Sequence, residues 1–250
     1  MAAYYDHYDY PSYWIGRQYE HEAESLALKS FLNKIPAIKT TLEIGAGFGR
    51  LTKIYLYRSK KVILSDPSAR LLKIARNEFN RKKVVFIQST LENIPTKIKP
   101  SSLDLVILVR VLHHIKDFEK AFKIIYKILA PNKYFILEFA NKQHFKAKII
   151  QFIQGNLTFP LDIFPKDIRK KTKTKKTLPF INYHPEIILK CLKDNGFEVE
   201  EIRSVSNIRA NFLKRFFSLD LLLFFEKILQ KPLAKIFFGP SVFILARKRG

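Results

Sequence analysis

The sequence predicts an α/β fold, a doubly wound and mostly parallel seven-stranded sheet with helices on both faces. Two observations lead to this prediction. Between residues 40 and 140, short apolar runs alternate with stretches of helical periodicity, a rhythm typical of parallel strands joined by right-handed helical crossovers. Residues 103–109 are almost entirely apolar, apart from Asp104, as expected for a central strand that is buried on both faces.

The predicted strands are short apolar runs bounded by turn residues, and they span residues 41–44, 62–66, 84–87, 103–109, 134–140, 197–205 and 242–246. The predicted helices show apolar residues at helical spacing, around residues 16–35, 51–56, 71–75, 118–129 and 185–195. Pro36 closes the first helix, and Gly196 is the expected cap of the last one. The chain therefore begins with a helix ahead of the sheet.

The domain organisation is predicted as a helical lid, residues 1–39, and one α/β domain, residues 40–250. Two insertions in the C-terminal half interrupt the strand and helix rhythm, at about residues 141–183 and 208–238. The first insertion contains a basic run at residues 166–177, which we expect to lack a core of its own. The second insertion is rich in Phe and Leu and is predicted to be helical.

The bulk composition indicates a cytoplasmic protein, with peripheral attachment to a membrane left open. Cys191 is the single cysteine, as expected in a reducing compartment. The first residues do not have the pattern of a secretory signal, and no run reaches the roughly 18 apolar residues of a membrane span. The net charge of +23 predicts attraction to nucleic acid, anionic lipid or acidic metabolites. A lysine-rich solvated surface is the alternative interpretation.

Three glycines, Gly45, Gly47 and Gly49, separate the predicted first strand from its helix. Glycine at such a turn lets a ligand approach the backbone. Arg50 stands where the dinucleotide fingerprint has its third glycine, and the GK[ST] of a phosphate loop is absent. The turn therefore predicts a ligand site, and these two departures argue against NAD or a nucleoside triphosphate as its ligand.

Two acids lie at the ends of the first and second predicted strands. Glu43 immediately precedes the loop, where a carboxylate would repel a pyrophosphate and would suit a cofactor that carries an ammonium and a sulfonium group. Asp66 follows about twenty residues later, where it could accept both hydroxyls of a ribose. The acids together favour S-adenosylmethionine, although each alone could be a helix cap or a surface residue.

These segments resemble class I S-adenosylmethionine-dependent methyltransferases, of the methyltransferase type 11 kind with a Rossmann-like fold. LEIGAGFGR is similar to the first motif, LSDPSARLL to the second, STLENIP to the segment that covers the adenine, LDLVILVRVLHHI to the fourth-strand motif and LAPNKYFILEF to the entry of strand five. The resemblance covers residues 40–140 in order, and it implies an enzyme. The cofactor-binding residues that it implies are Glu43, Gly45, Ala46, Gly47, Asp66, Pro67, Thr90, Leu91 and Val109.

The chain departs from the family pattern at two positions. Thr90 stands where the family often has an aspartate for the adenine amino group, so we expect a hydroxyl and backbone groups near Leu91 to contact the adenine. Asn132 replaces a glycine in the turn before the fifth strand, and asparagine tolerates the left-handed backbone that this turn needs. The N-terminal segment around Trp14 resembles the lid of many small-molecule methyltransferases, and Arg17 in it is a candidate for the carboxylate of the cofactor.

His113 and His114 follow the predicted fourth strand and are the candidate catalytic residues. Either could serve as a general base if the acceptor must lose a proton, and a packing role for the pair is the alternative. The other histidines are scattered, at positions 7, 21, 144 and 184. No metal is therefore expected at the site.

The expected acceptor is a small molecule or a lipid-like compound, methylated on oxygen, nitrogen or carbon. The second insertion supports this, because lysines flank its apolar residues and such a segment can cap an apolar substrate or lie on an anionic membrane surface. Alternatively, the second insertion could pack into the core or form the interface of a dimer. RNA is the alternative acceptor, motivated by the charge and the basic run, and a cofactor-binding scaffold without catalysis is a third hypothesis.

Overall fold

The computed structural model describes residues 3–79, 82–168 and 178–250 of the chain. Its α-helices are α1 (Gln18–Leu32), α2 (Thr52–Leu56), α3 (Ala69–Glu78), α4 (Phe118–Ile128), α5 (Phe145–Ile153), α6 (Pro185–Asp194), α7 (Asn211–Phe216) and α8 (Leu219–Ala234). Its strands are β1 (Ile38–Ile44), β2 (Ser59–Asp66), β3 (Val84–Gln88), β4 (Leu103–Leu108), β5 (Leu129–Ala140), β6 (Lys166–Asp167), β7 (Ile181–Asn182), β8 (Phe197–Val205) and β9 (Ser241–Lys248).

Seven strands form one sheet in the order β3-β2-β1-β4-β5-β9-β8. The pairs from β3 to β5 are all parallel, and β9 runs antiparallel to both of its neighbours. β4 is the middle strand, and beside it Leu42 of β1 pairs with Ile63 on one side and with Val106 on the other. The predicted doubly wound, mostly parallel seven-stranded fold is confirmed.

The core has two apolar layers, one on each face of the sheet. Leu28 and Phe31 of α1 and Leu72 of α3 lie in one layer, and Phe122 of α4 and Ile188 of α6 lie in the other. All five side chains are inaccessible to solvent. Apolar residues of β4 enter both layers, which is why this strand reads as a nearly continuous apolar run.

β5 begins at Leu129, so the predicted start at residue 134 was wrong. Leu103 of β4 pairs with Leu129, and the register shifts before Leu105 pairs with Tyr134. Residues 130–133, which lie between these two pairs, have the sequence APNK, which is typical of a loop. The sequence pattern therefore did not indicate the earlier start of the strand. Asn132 within them has φ +61°, the left-handed conformation expected there.

The two insertion segments leave the sheet after β5 and after β8. The first contains α5 and a two-stranded ribbon in which Lys166 of β6 pairs with Asn182 of β7. The predicted basic run continues into residues 169–177, which lie outside the described residues. The second contains α7 and α8, so its predicted helical character is confirmed. Of the helices within the described residues, none is long and apolar enough to cross a membrane.

Candidate active site at the carboxyl edge of the sheet

The glycine turn after β1 adopts a backbone that side chains would disturb. Gly45, Gly47 and Gly49 have φ values of +71°, +56° and +83°, in the left-handed region that favours glycine. A Cβ on Gly45 would lie 2.2 Å from Cγ2 of Val111. The loop is tied to β2, since the amide of Gly45 donates to the carbonyl of Ser65 over 2.7 Å.

Asp66 ends β2 and lies directly against this loop. Its Oδ2 accepts a 2.8 Å hydrogen bond from the amide of Gly47, and its Oδ1 accepts one of 2.8 Å from the amide of Ser68. Burial raises the pKa of the Asp66 carboxyl to about 6, against the two backbone donors, which lower it. The carboxylate therefore has a fixed position at the carboxyl edge, with 5% of the residue exposed.

Glu43, the last residue but one of β1, is also buried at this edge. Its Oε2 accepts a hydrogen bond from the hydroxyl of Tyr55 and one of 3.1 Å from Oγ1 of Thr52. No donor among the described residues reaches Oε1. Burial raises the pKa of Glu43 to about 7, and the nearby Asp66 carboxylate adds to the increase. Burial of the empty site therefore favours the protonated form of this acid.

The other residues implied by the resemblance lie at the ends of neighbouring strands. The amide of Ser89, after β3, donates over 3.1 Å to the carbonyl of Asp66, which brings Thr90 and Leu91 beside the end of β2. Thr90 is exposed and Leu91 is buried. Pro67 follows Asp66 directly, and the buried Val109 directly follows β4. The structure thus collects these residues at one edge of the sheet.

The two histidines after β4 have different surroundings. Nδ1 of His114 lies 2.7 Å from the carbonyl oxygen of Pro179, and its Nε2 lies 2.7 Å from the hydroxyl of Tyr5. His113 is buried, with its ring 4.4 Å from that of Phe180 and without a hydrogen bond to any described residue. Burial lowers the pKa of both imidazoles, most strongly that of His113.

A cavity of about 270 Å³ opens beside His114. Its walls include Leu91 and Glu92 from the segment after β3, together with Lys116 and Asp117 from the segment before α4. The cavity therefore lies between Leu91, one of the two residues implied for the adenine, and His114.

The N-terminal segment, the predicted lid, covers the glycine loop with aromatic rings. The Tyr10 ring lies 3.8 Å from where a Cβ on Gly47 would stand, and it also contacts Phe48 and Trp14. The carboxylate of Asp6, in the same segment, accepts a 2.6 Å hydrogen bond from Oγ of Ser68. These contacts hold the segment across the glycine loop and exclude water from that side.

Beneath Trp14 lies a buried charge cluster that sequence reasoning missed. Glu24 of α1 is inaccessible to solvent and binds Nε of Arg110 over 2.7 Å and the guanidinium of Arg50. The Arg50 guanidinium lies 3.5 Å from the centre of the Trp14 ring. Burial would raise the pKa of Glu24, but the two guanidinium groups hold it below its ordinary value. The cluster ties the lid to the loop and to β4.

Arg17 is placed apart from the site contacts described above. Its guanidinium lies 4.1 Å from the ring of Tyr13, at the residue preceding α1. The predicted contact of Arg17 with the cofactor stays a prediction. Arg50, which directly follows Gly49, and Arg110 are instead joined through Glu24. No group of three or more His, Cys, Asp or Glu in the described ranges is arranged to hold a metal ion.

Comparison with known proteins adds independent observations. Residues 42–137 match the model of a family described as a methyltransferase domain. The chain is 27% identical over 169 residues to the ubiquinone/menaquinone biosynthesis C-methyltransferase UbiE of Pseudoalteromonas translucida, covering 63% of this chain and 65% of that protein. It is 32% identical over 167 residues to the probable S-adenosylmethionine-dependent methyltransferase CRG1 of Saccharomyces cerevisiae, covering 65% of this chain and 55% of that protein. The chain thus spans less than two thirds of either relative.

The fold has solved counterparts. An S-adenosylmethionine-dependent methyltransferase from Mesorhizobium loti matches with a TM-score of 0.61 and 17% identity, over 90% of this chain and 98% of that one. At this identity the likeness shows the fold alone.

Fold, motifs and comparisons define the class of protein: the chain carries a class I S-adenosylmethionine-dependent methyltransferase domain. Residues 42–137 are the part of the chain that the methyltransferase-domain model matches. The predicted family, fold class and cofactor, S-adenosylmethionine, are confirmed. The roles of the individual site residues stay predictions.

Proposed function

We propose that this protein transfers the methyl group of S-adenosylmethionine to a small-molecule or lipid-like acceptor. The observation that supports this most strongly is the arrangement of one edge of the sheet. Asp66 is fixed against the glycine loop, and Glu43 is buried beside it. His114 lies after β4 at the same edge with Nε2 directed at the Tyr5 hydroxyl. Parallel sheets of this type bind their ligands at this edge.

The donor set fits the cofactor. Asp66 offers a buried carboxylate for a ribose diol, and Oε1 of Glu43 offers negative charge to a cationic ligand. Gly45 and Gly47 add no side chain to the loop beside Asp66, and Leu91 offers an apolar contact for an adenine. When bound, the cofactor supplies a methyl group activated by a sulfonium, and the residues align the acceptor and exclude water.

His114 is the residue that we propose as the base for an acceptor that must lose a proton. Its Nδ1 must carry a hydrogen to bind the Pro179 carbonyl, which can only accept. Because burial lowers the pKa of the ring, the neutral form is favoured, and its Nε2 has a lone pair that can accept a hydrogen. The Tyr5 hydroxyl donates to this lone pair. Its position therefore shows the direction from which Nε2 would take a proton from the methyl acceptor.

The acceptor class is inferred from the apolar segments beside the site. The segments that contain α5 and α7–α8 begin at the carboxyl ends of β5 and β8, the edge that also carries the loop. Both expose large apolar side chains, among them Phe152 and Phe224. One relative is named as a C-methyltransferase of ubiquinone and menaquinone biosynthesis, which is consistent with an apolar acceptor. Transfer to oxygen, nitrogen or carbon is left open.

Methyl-labelled S-adenosylmethionine tests this proposal directly. The protein is incubated with it and with an organic lipid extract, a pool of aqueous small metabolites, or total RNA. Label is expected in the lipid or small-metabolite pool and not in RNA, and Asp66→Ala should lower it at limiting S-adenosylmethionine. Label in RNA would replace the proposal with the nucleic-acid alternative. Cofactor binding without label in any pool would favour the scaffold hypothesis.

A further inference from the structure

Helix α8 exposes a stripe of apolar side chains and buries the polar Glu226 and Gln230 beside Leu222 and Ala234. Leu221, Phe224, Phe225 and Ile228 recur every three or four residues and are 40%, 57%, 46% and 54% exposed. This spacing places them on one side of a helix with 3.6 residues per turn. Glu226, by contrast, lies on the opposite side and is inaccessible to solvent. A surface helix normally has the reverse arrangement.

Hydrogen bonds from the rest of the protein fix this orientation. Glu226 accepts bonds of 2.6 Å from the Tyr19 hydroxyl, 2.8 Å from the amide of Ser206 and 3.0 Å from the amide of Asn207. Nε2 of Gln230, one turn further along, donates over 2.8 Å to the carbonyl of Ala23. Turning the apolar side of α8 inward would leave these buried groups without partners, at a high cost in free energy. The apolar side is therefore held outward.

Helix α5 is attached to the end of the second insertion and also exposes apolar side chains. The Phe145 ring stacks on Phe238 with 4.7 Å between centroids, and the Phe145 amide donates to the Phe238 carbonyl over 2.8 Å. Nζ of Lys148 donates to the carbonyl of Ile236 over 3.2 Å. Phe152 and Ile153 are 69% and 77% exposed. We call the exposed apolar residues of α5, α7 and α8 the apolar face.

Basic side chains border the apolar face. Lys227, Lys231 and Lys235 are exposed along α8 and just after it. Residues 208–238 contain six Lys and Arg against two acids, and one of these acids, Glu226, is buried. The chain as a whole carries a net charge of +23. A partner for this surface must therefore accept apolar side chains and carry negative charge.

We propose that the apolar face is a docking surface for an anionic lipid bilayer. A bilayer combines an apolar interior with a negatively charged surface, which matches exposed Phe, Leu and Ile bordered by Lys. The helices would lie in the interface, with the apolar side of α8 among the acyl chains and its lysines at the headgroups. This inference goes beyond the proposed function, because binding to a bilayer is measurable without methyl transfer.

Docking would also place the membrane beside the site. α5 follows the carboxyl end of β5, and α7 follows that of β8, at the edge that carries the glycine loop. A lipid-like acceptor could then reach the site from the bilayer without crossing water.

Vesicle sedimentation tests the proposal with the full chain. Binding is expected to vesicles of phosphatidylcholine mixed with phosphatidylglycerol, to be weaker to phosphatidylcholine alone and to fall as salt rises, because ions screen surface charges. The triple variant Phe224→Ser, Phe225→Ser, Ile228→Ser should lose most of the binding. Tyr57→Ser with Val85→Ser, which removes exposed apolar residues elsewhere, should not.

Charge variants separate the two components of binding. Lys227→Glu, Lys231→Glu, Lys235→Glu should abolish the preference for anionic vesicles. Lys39→Glu, Lys60→Glu, Lys61→Glu changes the net charge equally at the start of β1 and β2 and should keep it. Thermal unfolding and binding of S-adenosylhomocysteine should be unchanged in all variants, so a failed cofactor site would be recognised separately.

Three results would overturn the docking proposal. The first is failure of the unmodified protein to bind anionic vesicles. The second is equal binding by all variants, which would assign the attraction to net charge alone. The third is a concentration-dependent dimer that only the Phe224, Phe225 and Ile228 substitutions dissociate, because the apolar face would then join two copies of the chain.

Discussion

The hydroxyl of Tyr5 lies 2.7 Å from Nε2 of His114, across 109 positions of the sequence. On the other side of the ring, Nδ1 is 2.7 Å from the carbonyl oxygen of Pro179. This pair of contacts fixes the tautomer, since the Nδ1 hydrogen is needed for the carbonyl and Nε2 is left to accept. It also links the lid to the candidate base, so that the lid and the base are ordered together.

Replacing His114 should therefore affect the reaction more than the fold. We expect His114→Asn to lower kcat by about 100-fold or more, the usual contribution of a positioned base, with little change in KM for S-adenosylmethionine. His113→Asn is the comparison, and it should mainly lower the melting temperature because it removes the stacking on Phe180. Initial rates and thermal melts of both variants measure this difference.

The pH profile provides a second readout for His114. Because burial lowers the pKa of this imidazole, the acid limb of kcat should lie below the ordinary histidine value of about 6.5, and Tyr5→Phe should shift it. Equal losses of kcat in the two histidine variants, with an unchanged limb, would assign the pair to packing.

Glu43→Gln should stabilise the unliganded protein at high pH. The pKa of Glu43 is raised from 4.5 to about 7, so the folded state holds this proton more tightly than the unfolded chain and stability falls as pH rises through that range. At about 1.4 kcal/mol per pKa unit, the gain near pH 8 is about 3 kcal/mol, and it is small near pH 5. Urea unfolding at both pH values measures it.

The same substitution should weaken the binding of S-adenosylmethionine. The negative charge that destabilises the empty protein is the charge that a cationic ligand would neutralise. In the unmodified protein, affinity should fall as pH drops below about 7, where Glu43 becomes protonated, and the variant should lack this dependence. Unchanged affinity and unchanged pH dependence would place the cationic groups of the ligand away from Glu43.

Local patterns were sufficient for much of the fold. The predicted β8 matches its observed bounds, and the left-handed backbone of Asn132 was expected from the residue type. The candidate loop and acids also lie together at one edge, because parallel strands end there. These features depend on neighbours within a few residues or on the rules of sheet topology.

Contacts between distant segments could not be predicted from the sequence. Glu24 reads as an ordinary charged residue of a helix, and its partner Arg110 is 86 positions away. The orientation of α8 was equally hidden, since Glu226 is held inward by Tyr19, 207 positions earlier. Periodicity finds the two sides of such a helix, but long-range hydrogen bonds decide which side is buried.

Glu24→Gln should destabilise the protein strongly. It would leave Arg50 and Arg110 without their buried carboxylate, and breaking such a pair costs about 3 kcal/mol or more. Because the pKa of Glu24 is lowered in the folded state, this stabilisation is present above the ordinary pKa of about 4.5 and is lost as pH falls through the folded pKa. Urea unfolding at pH 7 and in acid tests both statements.

The matched control is Glu119→Gln. Its carboxylate pairs with Lys123 on the surface, where both side chains are more than half exposed, so the free energy of unfolding should hardly change. Equal effects of the two substitutions would mean that the buried cluster contributes no more than a surface pair.

Isothermal titration calorimetry of S-adenosylhomocysteine against the unmodified protein and Asp66→Ala tests the central claim most directly. The account predicts binding of S-adenosylhomocysteine to the unmodified protein and no binding of NADH. It predicts an affinity about tenfold or more weaker for Asp66→Ala, because two charge-assisted hydrogen bonds to the ribose are lost. Binding of NADH without S-adenosylhomocysteine, or an unchanged dissociation constant in a folded Asp66→Ala variant, would contradict it.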